Sequence, residues 1–196
     1  MIDVLIAGGG YVGLSLAVAL KSAAPHLAVT LVDGAPDGVW KKDERASAIA
    51  SAASHMLEAL GVWSEIEPEA EPIRRMVITD SKAADPVRPV FLTFEGAGEA
   101  EAAGRPFAHM VPNVVMVGAL RAAAERLGVD VRHSTPVDGF KSGEHAVAVS
   151  LGSGETPEAR LLVACDGVRS KLRTAAGIKT VDFDYGQSGI VTTVEH

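Results

Sequence analysis

An α/β fold, in which a parallel sheet is interleaved with antiparallel strands, is predicted by three observations. First, the apolar runs 3–7 (DVLIA) and 28–33 (AVTLVD) flank a helical stretch at 11–23. Strand, helix and strand thus fit into about 30 residues, the size of one parallel crossover unit. Second, an apolar run of the same kind returns at 158–165 (EARLLVAC). Third, residues 73–80 (IRRMVITD) and 89–94 (PVFLTF), which lie between them, have the texture of antiparallel strands. A parallel unit that is interrupted and then resumed points to two interleaved layers rather than two successive domains.

Each element has a local reason. The run 3–7 is apolar after Asp3 and leads into glycines, as a strand buried on both faces does. The helix at 11–23 stops before Pro25. Residues 46–60 predict a helix with Ile49, Ala53, Met56, Leu57 and Leu60 on one face and Gly61 as C-terminal cap. The acidic run 67–72 (EPEAEP) reads as a solvated linker, and 95–106 as a polar loop. Residues 113–127 predict a helix with Met116, Leu120, Ala123 and Leu127 on one stripe, ended by Gly128. Short strands follow at 129–133, 137–141 and 145–151, then a short helix at 169–176 and a strand-like run within 184–196.

Composition narrows the function. Hydrophobic residues make up 47% of the 196, enough for a core, and the formal net charge of −7 disfavours nucleic acid as a partner. The single cysteine, Cys165, excludes an intramolecular disulfide and a cysteine-based zinc site, and fits a reducing cytoplasmic setting. The longest stretch without formal charge, Val4 to Leu20, is marginally short for a membrane span and lacks a basic leader before it. No two of the six histidines stand at metal-ligand spacing, so no metal is expected. Cys165, inside an apolar strand, reads as a small core residue rather than a nucleophile.

Residues 8–13 are GGGYVG, giving Gly8-x-Gly10-x-x-Gly13. In such a motif the first glycine allows a tight turn, the second lets the backbone approach a pyrophosphate, and the third permits close helix–strand packing. Here the motif follows a strand, opens a helix, and precedes Asp33 at the end of the next strand by about 20 residues, the context of a Rossmann-like dinucleotide site. Asp33 can accept hydrogen bonds from an adenosine ribose and would repel a 2′-phosphate. The motif alone does not separate NAD from FAD.

Residues 161–173 read LLVACDGVRSKLR, in which an apolar strand ends in Asp166-Gly167 and Ser170 and Arg173 follow on a short helix. A carboxylate at the carboxyl end of such a strand lies where open α/β sheets bind ligands, although Asp166 would also serve as a plain helix cap. This pattern resembles the DG motif of flavin-dependent aromatic hydroxylases, the para-hydroxybenzoate hydroxylase-like class. The glycine motif, Asp33 and the stretch DERASAIA (43–50) fit the same family, in the version found in its ubiquinone-biosynthesis hydroxylases. So does YGQSGIVTTVEH at 185–196. The resemblance runs over essentially the whole chain.

The resemblance implies an FAD-binding domain interleaved with a substrate-binding sheet. Residues 1–72 and 106–178 would form the FAD-binding domain, 73–105 strands of the substrate domain, and 179–196 the start of its further sheet. It implies FAD contacts from Gly8, Gly10, Gly13 and Asp33. Arg45, placed by the sequence before a helix, would reach the pyrophosphate and ribityl chain, and Asp166 would lie beside the flavin. Asn113 would be a polar residue near the flavin, or simply a helix cap, and the backbone of Val137 would touch the adenine. No catalytic side chain is implied, because the cofactor carries the chemistry.

The implied reaction is NAD(P)H-driven hydroxylation by O2 of a small aromatic substrate, a polyprenylated phenol of ubiquinone biosynthesis. The prenyl tail implies peripheral contact with the inner face of a membrane. A homo-oligomer and association with other ubiquinone-biosynthesis proteins stay open. The family's Gly-Asp flavin motif is absent from these residues, so the chain is expected to be the N-terminal half of a longer enzyme and inactive by itself. An NAD(P)-dependent dehydrogenase or reductase, and a non-catalytic nucleotide-binding module, remain alternatives.

Overall fold

The protein is described by a computed structural model over residues 1–81, 84–95 and 106–190. In chain order the elements are β1 (Ile2–Ala7), α1 (Tyr11–Ala23), β2 (Val29–Val32), β3 (Ala46–Ala50), α2 (Ser51–Ala59), α3 (Trp63–Ile66), β4 (Glu71–Ile73), β5 (Arg75–Thr79) and β6 (Val90–Glu95). They continue as β7 (Ala108–Pro112), α4 (Asn113–Arg126), β8 (Asp130–Arg132), β9 (Val137–Ser142), β10 (Val147–Leu151), β11 (Glu158–Ala164) and α5 (Lys171–Ala175). The chain divides into two compact units, Met1–Arg45 with Val114–His196, and Ala46–Asn113.

The first unit is built on a six-stranded sheet of order β8-β2-β1-β11-β10-β9. The four strands β8, β2, β1 and β11 run parallel, and β10 and β9 continue the sheet antiparallel. All four residues of β2 are buried, as are Leu5, Ile6 and Ala7 of β1, which explains the largely apolar spelling of both strands. Helix α1 buries Leu14, Ala17 and Val18, and α4 buries Met116, Leu120, Ala123 and Ala124. Each fully buried Leu or Val stabilises the fold by about 1.5–3 kcal/mol in transfer free energy. A second cluster joins Leu5, Ala7, Val32, Val149, Leu151 and Leu172, so α5 and the β9–β10 hairpin pack on the parallel strands.

This topology positions the site. Because β2, β1 and β11 are parallel neighbours, their carboxyl ends lie side by side. The segments that leave those ends carry Asp33, the glycine turn and Cys165-Asp166.

In the second unit β3, β7 and β4 form an antiparallel sheet, and β5 and β6 form a separate two-stranded ribbon. The ribbon register pairs Met76 with Phe94 and Ile78 with Leu92, putting four apolar residues on one face. The other face carries Arg75 paired with Glu95 and Val77 paired with Thr93. All four residues of the apolar face are exposed.

Two sequence expectations are corrected here. Residues 46–50 form strand β3 instead of the start of a helix, and the helix begins at Ser51. Alanine favours helix, but β3 pairs residue for residue with β7, from Ala46 opposite Pro112 to Ala50 opposite Ala108, and tertiary pairing overrides a weak local preference. Of the expected apolar face of that helix, Leu57 is buried while Met56 is largely exposed. The acidic run 67–72 is not wholly a linker: Glu71–Ile73 is strand β4, paired with β7. Gly61 and Gly128 do end their helices with positive φ (69° and 72°), in the left-handed conformation that glycine adopts at low cost. The expected loop at 95–106 lies mostly outside the described residues. Residues 184–190 form no regular strand, and the rest of the strand-like run, 191–196, also lies outside the described residues. No described helix is long and apolar enough to cross a membrane.

Candidate functional site

The glycine turn is fixed by its neighbours. The Gly8 N–H donates to the Val32 carbonyl at 2.8 Å, and the Cys165 N–H donates to the Ala7 carbonyl at 2.7 Å, so the turn is tied to the strands on both sides. Gly8 has φ +118°, which side chains rarely tolerate, and a Cβ there would collide with the Cys165 carbonyl. A Cβ on Gly13 would collide with the Gly8 carbonyl. A Cβ on Gly9 would run into the Asp33 carboxylate. These three glycines are therefore demanded by the protein's own packing.

Gly10 is different. Its backbone is extended (φ −76°, ψ 176°), and a Cβ there would meet no protein atom within 4 Å. Nothing inside the chain requires glycine at this position. It caps α1 without a side-chain hydrogen bond, and the first turn of α1 carries no acidic residue. The opening N–H groups of α1, with their partial positive charge, are thus left without a side-chain cap or an acidic neighbour in the first turn, which suits an anion. The bare cradle at Gly10 is the feature that fits a dinucleotide pyrophosphate.

Asp33 follows β2. Its Oδ1 accepts the Ala35 N–H at 3.1 Å, closing a short turn, and its carbonyl accepts the Thr135 N–H at 2.8 Å. The segment before β9 is thereby laid against the end of β2, which brings Pro136 and Val137 beside Gly34. Gly8, Asp33, Gly34, Pro136, Val137 and Asp166 line one cleft of about 270 Å³.

Asp166 is engaged with the turn that starts α5. Burial pushes its carboxyl up, but hydrogen bonds from the Ser170 hydroxyl and the Leu172 and Lys171 N–H groups outweigh this and hold it below the ordinary aspartate value. The Leu172 N–H bond is 3.3 Å long. The cap of α5 proper is Ser170, whose Oγ accepts the Arg173 N–H at 2.9 Å. Burial, then the Asp166 charge, pushes the neighbouring Cys165 thiol up, which disfavours the thiolate.

Arg45 precedes strand β3, six residues before the start of α2, and not the mouth of a helix. Its Nε and Nη2 donate to the two Asp43 carboxylate oxygens, each at 2.8 Å, and its side chain is 69% exposed. The hydrogen bonds to Asp43 raise its pKa further, with a lesser contribution from Tyr11, the residue after Gly10. Asn113 opens α4, is 5% exposed, and accepts the Ser47 hydroxyl at 2.7 Å through Oδ1, joining β3 to the start of α4. Of the expected site residues, then, Gly8, Asp33, Val137 and Asp166 share one cleft, while Gly10 and Gly13 lie in the turn beside it. Arg45 and Asn113 have partners of their own.

The cleft also contains residues the sequence reading did not single out: Gly34, Pro136, Arg169 and Lys171. Arg169 belongs to the Asp-Gly-Val-Arg-Ser stretch that carries the family resemblance, and Lys171 directly follows it, where only its charge could have drawn notice.

A parallel sheet whose strand ends converge on a bare glycine turn defines a dinucleotide-binding α/β protein. The chain belongs to the FAD binding domain family, which matches residues 1–194. Among curated proteins it is 36% identical over 198 residues to ubiquinone hydroxylase UbiL of Rhodospirillum rubrum, covering 99% of this chain and 44% of that protein. It is 30% identical over 199 residues to 3-demethoxyubiquinol 3-hydroxylase of Escherichia coli, covering 98% of this chain and 48% of that protein. Among solved structures, the OxyS anhydrotetracycline hydroxylase of Streptomyces rimosus superposes with a TM-score of 0.72 at 26% identity, over 93% of this chain and 35% of that one. The chain thus spans less than half the length of these relatives.

Proposed function

We propose that the chain supplies the FAD-binding part of a flavin-dependent monooxygenase that hydroxylates a polyprenylated phenol in ubiquinone biosynthesis. The observation that carries this reading is the bare turn at Gly10, beside a cleft shared by Gly8, Asp33, Val137 and Asp166. The 36% identity to a ubiquinone hydroxylase across nearly the whole chain supports the reaction class. Bound FAD, reduced by NAD(P)H, would supply the chemistry that places one oxygen atom of O2 on the aromatic ring.

The chain's own residues bind and orient. The α1 amides and the glycine turn would take the pyrophosphate, Asp33 the adenosine ribose, and the backbone at Val137 the adenine. Asp166 would border the flavin end, with its carboxylate kept ionised by the Ser170 and Leu172 hydrogen bonds. Arg45 and Asn113 would add contacts toward the flavin. The β5–β6 ribbon belongs in this reading to a substrate-binding sheet, and the prenyl tail would bring the protein to a membrane surface.

The reading is tested with 18O2. Incubated with NAD(P)H and a polyprenylphenol, the FAD-loaded protein that contains this chain should give a ring-hydroxylated product carrying one labelled oxygen. A product labelled from water, or FAD-independent NADH binding to a colourless protein, would favour a dehydrogenase instead.

A further inference from the structure

The cleft that holds Gly8 and Asp33 has a charge problem. It contains two carboxylates, Asp33 and Asp166, in a chain of net charge −7. A dinucleotide would add two negative phosphates. The α1 N-terminus contributes only about half a positive charge. Left there, the site would repel the group its backbone is shaped to receive.

The wall of the same cleft carries two cations, Arg169 and Lys171. Elsewhere in this unit the arginines are committed. Arg45 is held by Asp43, Arg121 by Asp37, Arg132 by Asp130 and Glu155, and Arg160 by Asp3. The side chains of Arg169 and Lys171 have no hydrogen bond or ion pair among the described residues, and both residues are exposed. Their backbone, in contrast, is anchored. The Lys171 N–H donates to the Asp166 carboxylate, and Gly8 packs against the Cys165 carbonyl and the Asp166 nitrogen. Two unpaired cations are thus carried on a segment fastened to the pyrophosphate turn. No existing ion pair has to break for them to reach a ligand.

We propose that Arg169 and Lys171 clamp the diphosphate of the bound FAD from the wall of the Gly8–Asp33 cleft. The inference rests on the dinucleotide reading above and adds to it the source of charge compensation. Arginine brings a fork that matches two phosphate oxygens, and lysine a point charge.

The test compares the parent protein with Arg169→Ala/Lys171→Ala by calorimetric titration with ADP, adenosine and FAD at low and high salt. The double variant should bind ADP and FAD at least 30-fold more weakly, keep its adenosine affinity within twofold, and show a shallower loss of ADP affinity with salt. Arg169→Lys/Lys171→Arg, which keeps both charges, should recover most of the ADP affinity. An unchanged thermal midpoint in both variants separates the clamp from a folding defect. ADP and FAD affinities equal to the parent's would overturn the clamp, as would an equal loss of adenosine affinity. A parent that binds neither ADP nor FAD would overturn the dinucleotide reading itself, and the clamp with it.

Discussion

Replacing Gly10 with alanine separates ligand geometry from protein packing. The backbone at Gly10 is in an extended conformation open to any residue, and the added methyl would touch no protein atom. Alanine is a poorer helix cap than glycine, so the fold should lose roughly 0.5–1 kcal/mol, a drop of about 1–4 °C in the melting midpoint for a chain of this size. The methyl occupies the space where a pyrophosphate would meet the α1 amides. Losing one or two charge-assisted hydrogen bonds, each worth about 1.5–3 kcal/mol, should weaken FAD binding by at least about tenfold. Gly13→Ala should behave in the opposite way, because its methyl strikes the Gly8 carbonyl. Overpacking of that kind costs about 1–3 kcal/mol or more, so that variant should melt well below the parent before any ligand is added. Flavin-fluorescence titration and thermal melts of the two variants read both effects. A Gly10→Ala protein that binds FAD as the parent does would refute the assignment of the cradle.

The remaining predictions follow from single observations. Asp166 has a depressed pKa, so its hydrogen bonds stabilise the fold above the ordinary aspartate value and are lost as pH falls through the lower folded value. In urea melts, Asp166→Asn should be less stable than the parent at neutral pH, and the gap should narrow below about pH 4. Arg45→Ala should weaken FAD binding while leaving the melting midpoint nearly unchanged, since the side chain is exposed and paired only locally. Equal affinity in mutant and parent would remove Arg45 from the site. Leu14→Ala removes a fully buried side chain and should cost about 2–5 kcal/mol, measured by chemical denaturation. The apolar face of the β5–β6 ribbon should make the isolated 196-residue chain bind hydrophobic dyes and self-associate, and Leu92→Lys should reduce both. A monodisperse, dye-free chain in light scattering would contradict this.

The parallel half of the fold was legible because its signals are local. Strands β1, β2 and β11 are largely apolar, and the glycine turn, Asp33 and Asp166 stand just past their carboxyl ends. What the sequence hid depends on distant partners. Residues 46–50 look helical because alanine favours helix, and their reason for being a strand is β7, some sixty residues away. Residues 71 and 72 look like solvent-exposed linker for the same reason. In the site, the spacing Gly8-x-Gly10 left Gly9 as an arbitrary residue, whereas its lack of a side chain is what lets Asp33 come close. The charges of Arg169 and Lys171 were visible in DGVRSKLR, but their lack of partners was not. Arg45 presents the reverse case. The family resemblance singled it out, and only the structure revealed the Asp43 carboxylate already filling its fork.

The central claim is that the carboxyl ends of β2, β1 and β11 hold one flavin nucleotide. Amide chemical shifts recorded while FAD is added test it most directly. The account predicts saturable shifts that are largest at residues 8–13, at Asp33 and Gly34, at Val137, and from Asp166 to Lys171. Saturable binding that leaves those amides unmoved and shifts others instead would contradict it.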